Sequence, residues 1–169
     1  MTLGTVSCDN EIKMTTESRM SWGGLSPAAR WAGFLGLLPF LLALGLVTVG
    51  ASHDAVALGR DIALAWGAVI LAFVAAVHWG LALASRWRWS MTVVVGSTLP
   101  SLVGAIAVLV GGERGIALLV VGFGLFWLFE HRHHADQLPA DYVALRRLLT
   151  IGVCALLVMT AFAGTGVDS

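Results

Sequence analysis

The chain has 169 residues, of which 58% are hydrophobic and only 12% charged. With its 20 glycines added, the apolar share far exceeds the roughly 45–50% of soluble domains, and a fold of this size has no water-soluble core large enough to hide the surplus. A soluble enzyme is all but excluded, and 10 basic against 10 acidic residues leave no net charge to recruit nucleic acid.

Residues 1–30 are polar and mixed in charge, which predicts a disordered cytoplasmic tail; Met14 and Met20 are alternative starts to Met1. Asp9, Glu11 and Glu17 argue against a mitochondrial transit peptide. Five uncharged apolar runs follow, at 31–50, 62–84, 91–111, 115–129 and 148–164, before a short external tail at 165–169. About 20 helical residues cross a hydrocarbon core of about 30 Å, so the first three runs are comfortable spans and the last two are short. The fourth is rich enough in Leu, Ile, Val and Phe to insert, and the fifth is preceded by Tyr142, Arg146 and Arg147, which predicts a helix that begins outside the hydrocarbon and enters it near Leu148. The fold class is therefore all-α: a polytopic membrane helical bundle with five transmembrane helices.

Local signals agree. Ser26 before Pro27, and Ser90 before the third run, are N-cap signals. Pro39 and Pro100 lie inside the first and third runs, where each removes a backbone donor. In lipid such kinks survive only where other groups satisfy the freed carbonyls, and Ser97 and Ser101 flank Pro100 for that purpose.

Eight of the ten Lys and Arg residues fall in the N-terminal tail and the second and fourth loops, against Arg60 and Arg114 on the other side. The positive-inside rule then places the N-terminus in the cytoplasm and the C-terminus outside a bacterial inner membrane. Trp31, Trp79, Trp87, Trp89, Trp127 and Tyr142 form a belt at the cytoplasmic ends of the spans, and Trp66 lies toward the outer ends. Cys8 in the tail and Cys154 in the last span are too far apart in this topology to pair.

Few residues suggest chemistry. His78 is the one titratable side chain well inside a run, and intramembrane ionisable groups are functional candidates by default. No carboxylate at its depth is expected to partner it, which favours a structural hydrogen bond over a proton relay. Ala68, Ala72, Ala76 and Gly80 repeat every four positions, a smooth stripe suited to core helix packing or to a second copy. Glu130, His131, Arg132, His133, His134 and Asp136 cluster after the fourth run; Glu130 and His134 share a helical face, yet Arg132 repels a cation. A cytoplasmic loop is the expected account of this cluster, without metal, cofactor or catalytic residue.

Gly36-Leu37-Leu38-Pro39-Phe40, the run Ala68 to Phe73 leading to His78-Trp79-Gly80, Leu99-Pro100-Ser101-Leu102, and Leu138-Pro139 with Tyr142, Leu145-Arg146 and Leu149-Thr150 occur in a telling order. That order resembles the multi-pass membrane family of the domain-of-unknown-function 3429 type, which includes eukaryotic transmembrane protein 69. The resemblance covers roughly residues 33–150 and departs at Asp141, where the family places an aromatic. It implies a multi-pass membrane protein with no established reaction and adds no catalytic residue. The expected function is a structural or assembly partner in the membrane, with the lipid bilayer and other membrane proteins or a second copy as partners. A small proton-coupled carrier using His78 and the proline-kinked spans is the alternative.

Overall fold

The computed structural model describes residues 27–50, 52–84, 88–134 and 140–163. The secondary structure among them is helical: α1 (Pro27–Leu35), α2 (Leu38–Val49), α3 (His53–Leu83), α4 (Met91–Val110), α5 (Gly112–His134) and α6 (Ala140–Ala163). Helices α1 and α2 together make one crossing, so five segments are long and apolar enough to span a membrane: Arg30–Val49, His53–Leu83, Met91–Val110, Gly112–His133 and Ala140–Ala163. No more than 33% of any segment's most apolar window is buried inside the bundle. Outward-facing Leu109, Phe162 and Phe73 make a surface that suits hydrocarbon and not water.

The junction of α1 and α2 shows how the chain satisfies its backbone in such a solvent. Pro39, the second residue of α2, has no N–H, and Phe40 N turns back to donate to Leu37 O at 3.1 Å. The carbonyl of Gly36 thus loses its helical donor. Trp66 of α3 donates its indole N–H to that carbonyl at 2.9 Å. Trp66 is therefore half-buried against the break in the first crossing, where it bridges two helices. Pro100 is accommodated differently, within a continuous α4. The carbonyl it leaves without a helical donor belongs to Gly96, but Ser97 Oγ donates to Val93 O at 2.8 Å and Ser101 Oγ to Ser97 O at 3.4 Å. The two hydroxyls bond the turns on either side of the freed carbonyl, not the carbonyl itself.

Capping fixes where two helices begin. Ser90 Oγ accepts from Val93 N at 3.3 Å, and Ser52 Oγ accepts from Ala55 N at 3.2 Å. The Ser52 cap, with Asp54 in the first turn, starts α3 well before the apolar run at 62–84. Ser26 lies outside the described residues. Gly111 and Gly112 take φ of 66° and 54°, a left-handed pair that reverses the chain between α4 and α5 and that side chains with a Cβ would strain.

Helix α3 is the axis of the bundle and packs on α2, α4, α5 and α6. Its inward row is Gly59, Ala63, Gly67, Leu71, Ala75, His78 and Ala82. Two contacts set how close its neighbours come. A Cβ on Gly59 would lie 2.8 Å from Ala43 O of α2, and one on Gly104 of α4 would lie 3.2 Å from Ala68 Cα. The row Ala68, Ala72, Ala76 and Gly80 is not the core face expected of it: Ala68 meets Gly104, whereas Ala76 and Gly80 are exposed. Four residues turn a helix about 40° beyond a full circle, so three such steps carry the row about 120° away from its starting face.

The Trp66 bond yields a test. Trp66→Phe keeps the ring and removes the donor, and unfolding in mixed micelles should show a loss of about 1–2 kcal/mol. In a Pro39→Ala background residue 39 regains its N–H and α1 can run into α2, so the same change should cost about half as much. Equal losses in both backgrounds would show that the indole bond is not tied to the break.

Candidate functional site

The two helical stripes that meet at one end of the bundle each contain a charged residue. In α5 the inward positions Leu119, Phe123, Phe126 and Glu130 follow one another at helical spacing, and in α6 the buried row is Arg146, Thr150, Val153, Leu157 and Thr160. Where the stripes face, Arg146 Nε donates to Glu130 Oε2 at 3.2 Å, with the two side chains 8% and 6% exposed. Arg146 Nη1 donates to Thr150 Oγ1 at 3.4 Å. The guanidinium carbon stands 5.4 Å from the centre of the Phe126 ring, a cation–π distance.

His78 joins this cluster through the same ring. Buried at 1% exposure on α3, it meets Phe126 edge-on with centroids 5.5 Å apart, and Phe129 at 6.5 Å. Phe129 is seated on Gly96 of α4, where a Cβ would come 2.5 Å from its ring. Three helices thus place His78, Phe126, Phe129, Glu130, Arg146 and Thr150 together where α3 and α5 end and α6 begins, and α4 seats Phe129. Tyr142, half-buried one turn before Arg146, lies within electrostatic reach of the ion pair.

This arrangement corrects three expectations. His78 is not alone among buried titratable groups, since Glu130 and Arg146 are buried with it. Glu130 does not solvate a loop: α5 continues to His134, and the carboxylate faces Arg146 instead of a metal. Arg146, expected on the part of the helix outside the hydrocarbon, is buried in the bundle instead, although α6 begins ahead of Leu148 as expected, at Ala140. Its neighbour Arg147 stays exposed. Nearby, His131 stacks on Trp127 at 5.4 Å and His133 Nδ1 lies 3.0 Å from Phe129 O. Among the described residues no three His, Cys, Asp or Glu side chains converge on a metal position.

The remaining candidates lie apart. Trp79 is 43% exposed and meets Trp89 edge-on at 5.4 Å. Gly80 has open space beside it. Pro39 sits at the first break, and Ser97, Pro100 and Ser101 act within α4. Arg86 and Trp87 fall outside the described residues, as does Cys8, while Cys154 is half-buried with its Sγ 4.0 Å from Val120 O. Two further ion pairs tie helix ends, Arg60 to Glu113 at 3.4 Å and Arg30 to Asp141 at 3.9 Å. Asp141, the departure from the family pattern, thus takes a polar partner on α1.

A buried pair is costly to break and cheap to remove whole. Glu130→Gln and Arg146→Met should each lower unfolding stability by about 3–5 kcal/mol, because each leaves the other partner uncompensated. Glu130→Leu with Arg146→Met should lie within about 1 kcal/mol of the parent. Additive losses in the double variant would mean that the two charges act independently.

The chain matches the model of the family described as "Protein of unknown function (DUF3429)" over residues 25–162, from just before α1 to the last turn of α6. No curated protein and no solved structure matches it. The match covers Pro39 and Pro100, the His78 to Gly80 segment and both members of the buried ion pair, and this multi-pass membrane protein belongs to that family.

Proposed function

We propose that the protein is a structural or assembly partner in a bacterial inner membrane, docking its bundle against another membrane component. The observation that carries this reading is the outward face of α3, where Ala76 and Gly80 are exposed and a Cβ on Gly80 would meet nothing within 4 Å. Small residues on a lipid-facing helix admit a second helix at close backbone distance. Their absence from the bundle's own packing leaves that face available. A second copy of the chain is the homo-oligomeric version of the same contact.

The carrier alternative draws on His78 and the kinked spans. Among the described residues the buried titratable groups His78, Glu130 and Arg146 gather at one end, whereas the core toward the other end is built from Ala43, Ala63, Leu64, Ala107 and Leu157. A proton or solute crossing that half needs polar groups in line. The geometry therefore favours the docking reading.

Orientation is part of the proposal: Lys and Arg excess puts the N-terminus in the cytoplasm. Alkaline phosphatase fused after Ser169 should be active, and a silent enzyme there would reverse the threading. Extraction in mild detergent should recover the chain with a companion at fixed ratio. Gly80→Leu should reduce that recovery by about tenfold while leaving unfolding unchanged, since it alters only an exposed close-packing position. Undiminished recovery would remove this face from the contact.

A further inference from the structure

A cleft of about 420 Å³ opens on the side of the bundle between α1, α3 and α6. Small-molecule sites occupy about 300–1,000 Å³. The walls are apolar, with Ala32 and Gly36 facing Phe73 and Val77, and the polar groups are Tyr142, Arg146 and Thr150. Ala32 is exposed and Phe73 is 70% exposed, so the mouth opens sideways onto the surface presented to lipid.

Arg146 limits what can fill this space. It is 7% exposed, its Nε and Nη1 are engaged by Glu130 and Thr150, and its Nη2 has no hydrogen-bond partner among the described residues. Glu130 already neutralises the guanidinium. A second carboxylate or a phosphate oxygen would leave net negative charge in a low-dielectric place, whereas a neutral oxygen completes the donor without one. Depth narrows the choice further. Arg146 stands about 9 Å along α6 and, if that helix of about 36 Å is centred on a hydrocarbon core of about 30 Å, about 6 Å inside its boundary. The neutral oxygens nearest that depth in a bilayer are the carbonyls of glycerolipid acyl esters.

We propose that the cleft is a binding site for a membrane glycerolipid, with an acyl chain along the Phe73 and Val77 wall and an ester carbonyl accepting a hydrogen bond from Arg146 Nη2, which is itself enclosed and turns toward the cleft to donate. No charge is transferred and no bond is broken; the lipid supplies an acceptor that the described residues do not.

The test compares dioleoyl phosphatidylethanolamine with its dialkyl ether counterpart, which has the same headgroup and chains but no carbonyl, added to the full chain in non-ionic detergent and counted by native mass spectrometry. The ester lipid should be retained about tenfold better, the scale of one charge-assisted hydrogen bond. Arg146→Lys keeps a positive charge for Glu130 but loses the planar fork, and the preference should fall to near unity. Ala32→Trp fills the mouth without touching the ion pair and should reduce retention of both lipids alike. Equal retention of the two lipids by the unaltered chain would overturn the proposal. So would a dimer that buries the cleft and retains neither lipid.

Discussion

A guanidinium and a carboxylate 3.2 Å apart, both more than nine-tenths buried, fix how α5 and α6 face one another. Apolar side chains alone specify that interface weakly in lipid, because leucine against leucine is scarcely better than leucine against an acyl chain. An ion pair in the same setting tolerates little sliding, since a displacement of one helical turn leaves a bare charge in hydrocarbon. The same Arg146 also engages Thr150 and the Phe126 ring, and Phe126 in turn holds His78 of α3. Register set at one contact is thereby passed to three helices.

Close backbone approach supplies what the ion pair does not. Gly59 against Ala43 O, and Gly104 against Ala68, bring α2 and α4 onto α3 at distances that a Cβ would violate at Gly59 and crowd at Gly104. Dispersion forces act over short range, so this proximity is the main attraction left to helices that share an apolar solvent. The break between α1 and α2 uses the third available device, a side-chain donor from another helix. Trp66 gives its N–H to Gly36 O, a carbonyl that the turn at Pro39 strands, and so ties the first crossing to the axis of the bundle.

Much of this architecture is legible from hydropathy, proline and charge. Five apolar runs mark the five crossings, Ser90 marks a cap, and Pro39 marks the break. The partner of the break was not legible, because an indole reaching a carbonyl thirty residues earlier leaves no local trace. The outward turn of the Ala68 to Gly80 row was readable in principle: Leu64, Leu71 and His78 recur every seven residues on one buried face of α3, and Ala76 and Gly80 each lie two residues from His78, about 160° around the helix. Glu130 and Arg146 were hidden by a different cause. Reading apolar runs up to the first charge stops at Phe129 and begins again at Leu148, which assigns Glu130 to a loop and Arg146 to the part of a helix outside the hydrocarbon. The available signal was periodicity, since Glu130 continues Leu119, Phe123 and Phe126, and Arg146 precedes Thr150, Val153 and Leu157.

That same pair bears on how the short fourth and fifth runs become full crossings. Fifteen uncharged residues at 115–129 reach about 23 Å at helical rise, less than a hydrocarbon core of about 30 Å. Helices α5 and α6 nevertheless run for 23 and 24 residues. A charge bounds each apolar run, Glu130 after the fourth and the Arg146-Arg147 pair before the fifth; Arg147 stays exposed, while Arg146 and Glu130 cancel one another across the interface between the two helices. Each helix therefore regains, by pairing, the length that its own hydropathy lacks. The consequence is directional: α5 and α6 are neighbours in sequence and in space, and neither is as well suited to lipid alone as it is beside the other. Membrane compatibility here belongs to the helical hairpin as a unit, which a scan of single segments undervalues.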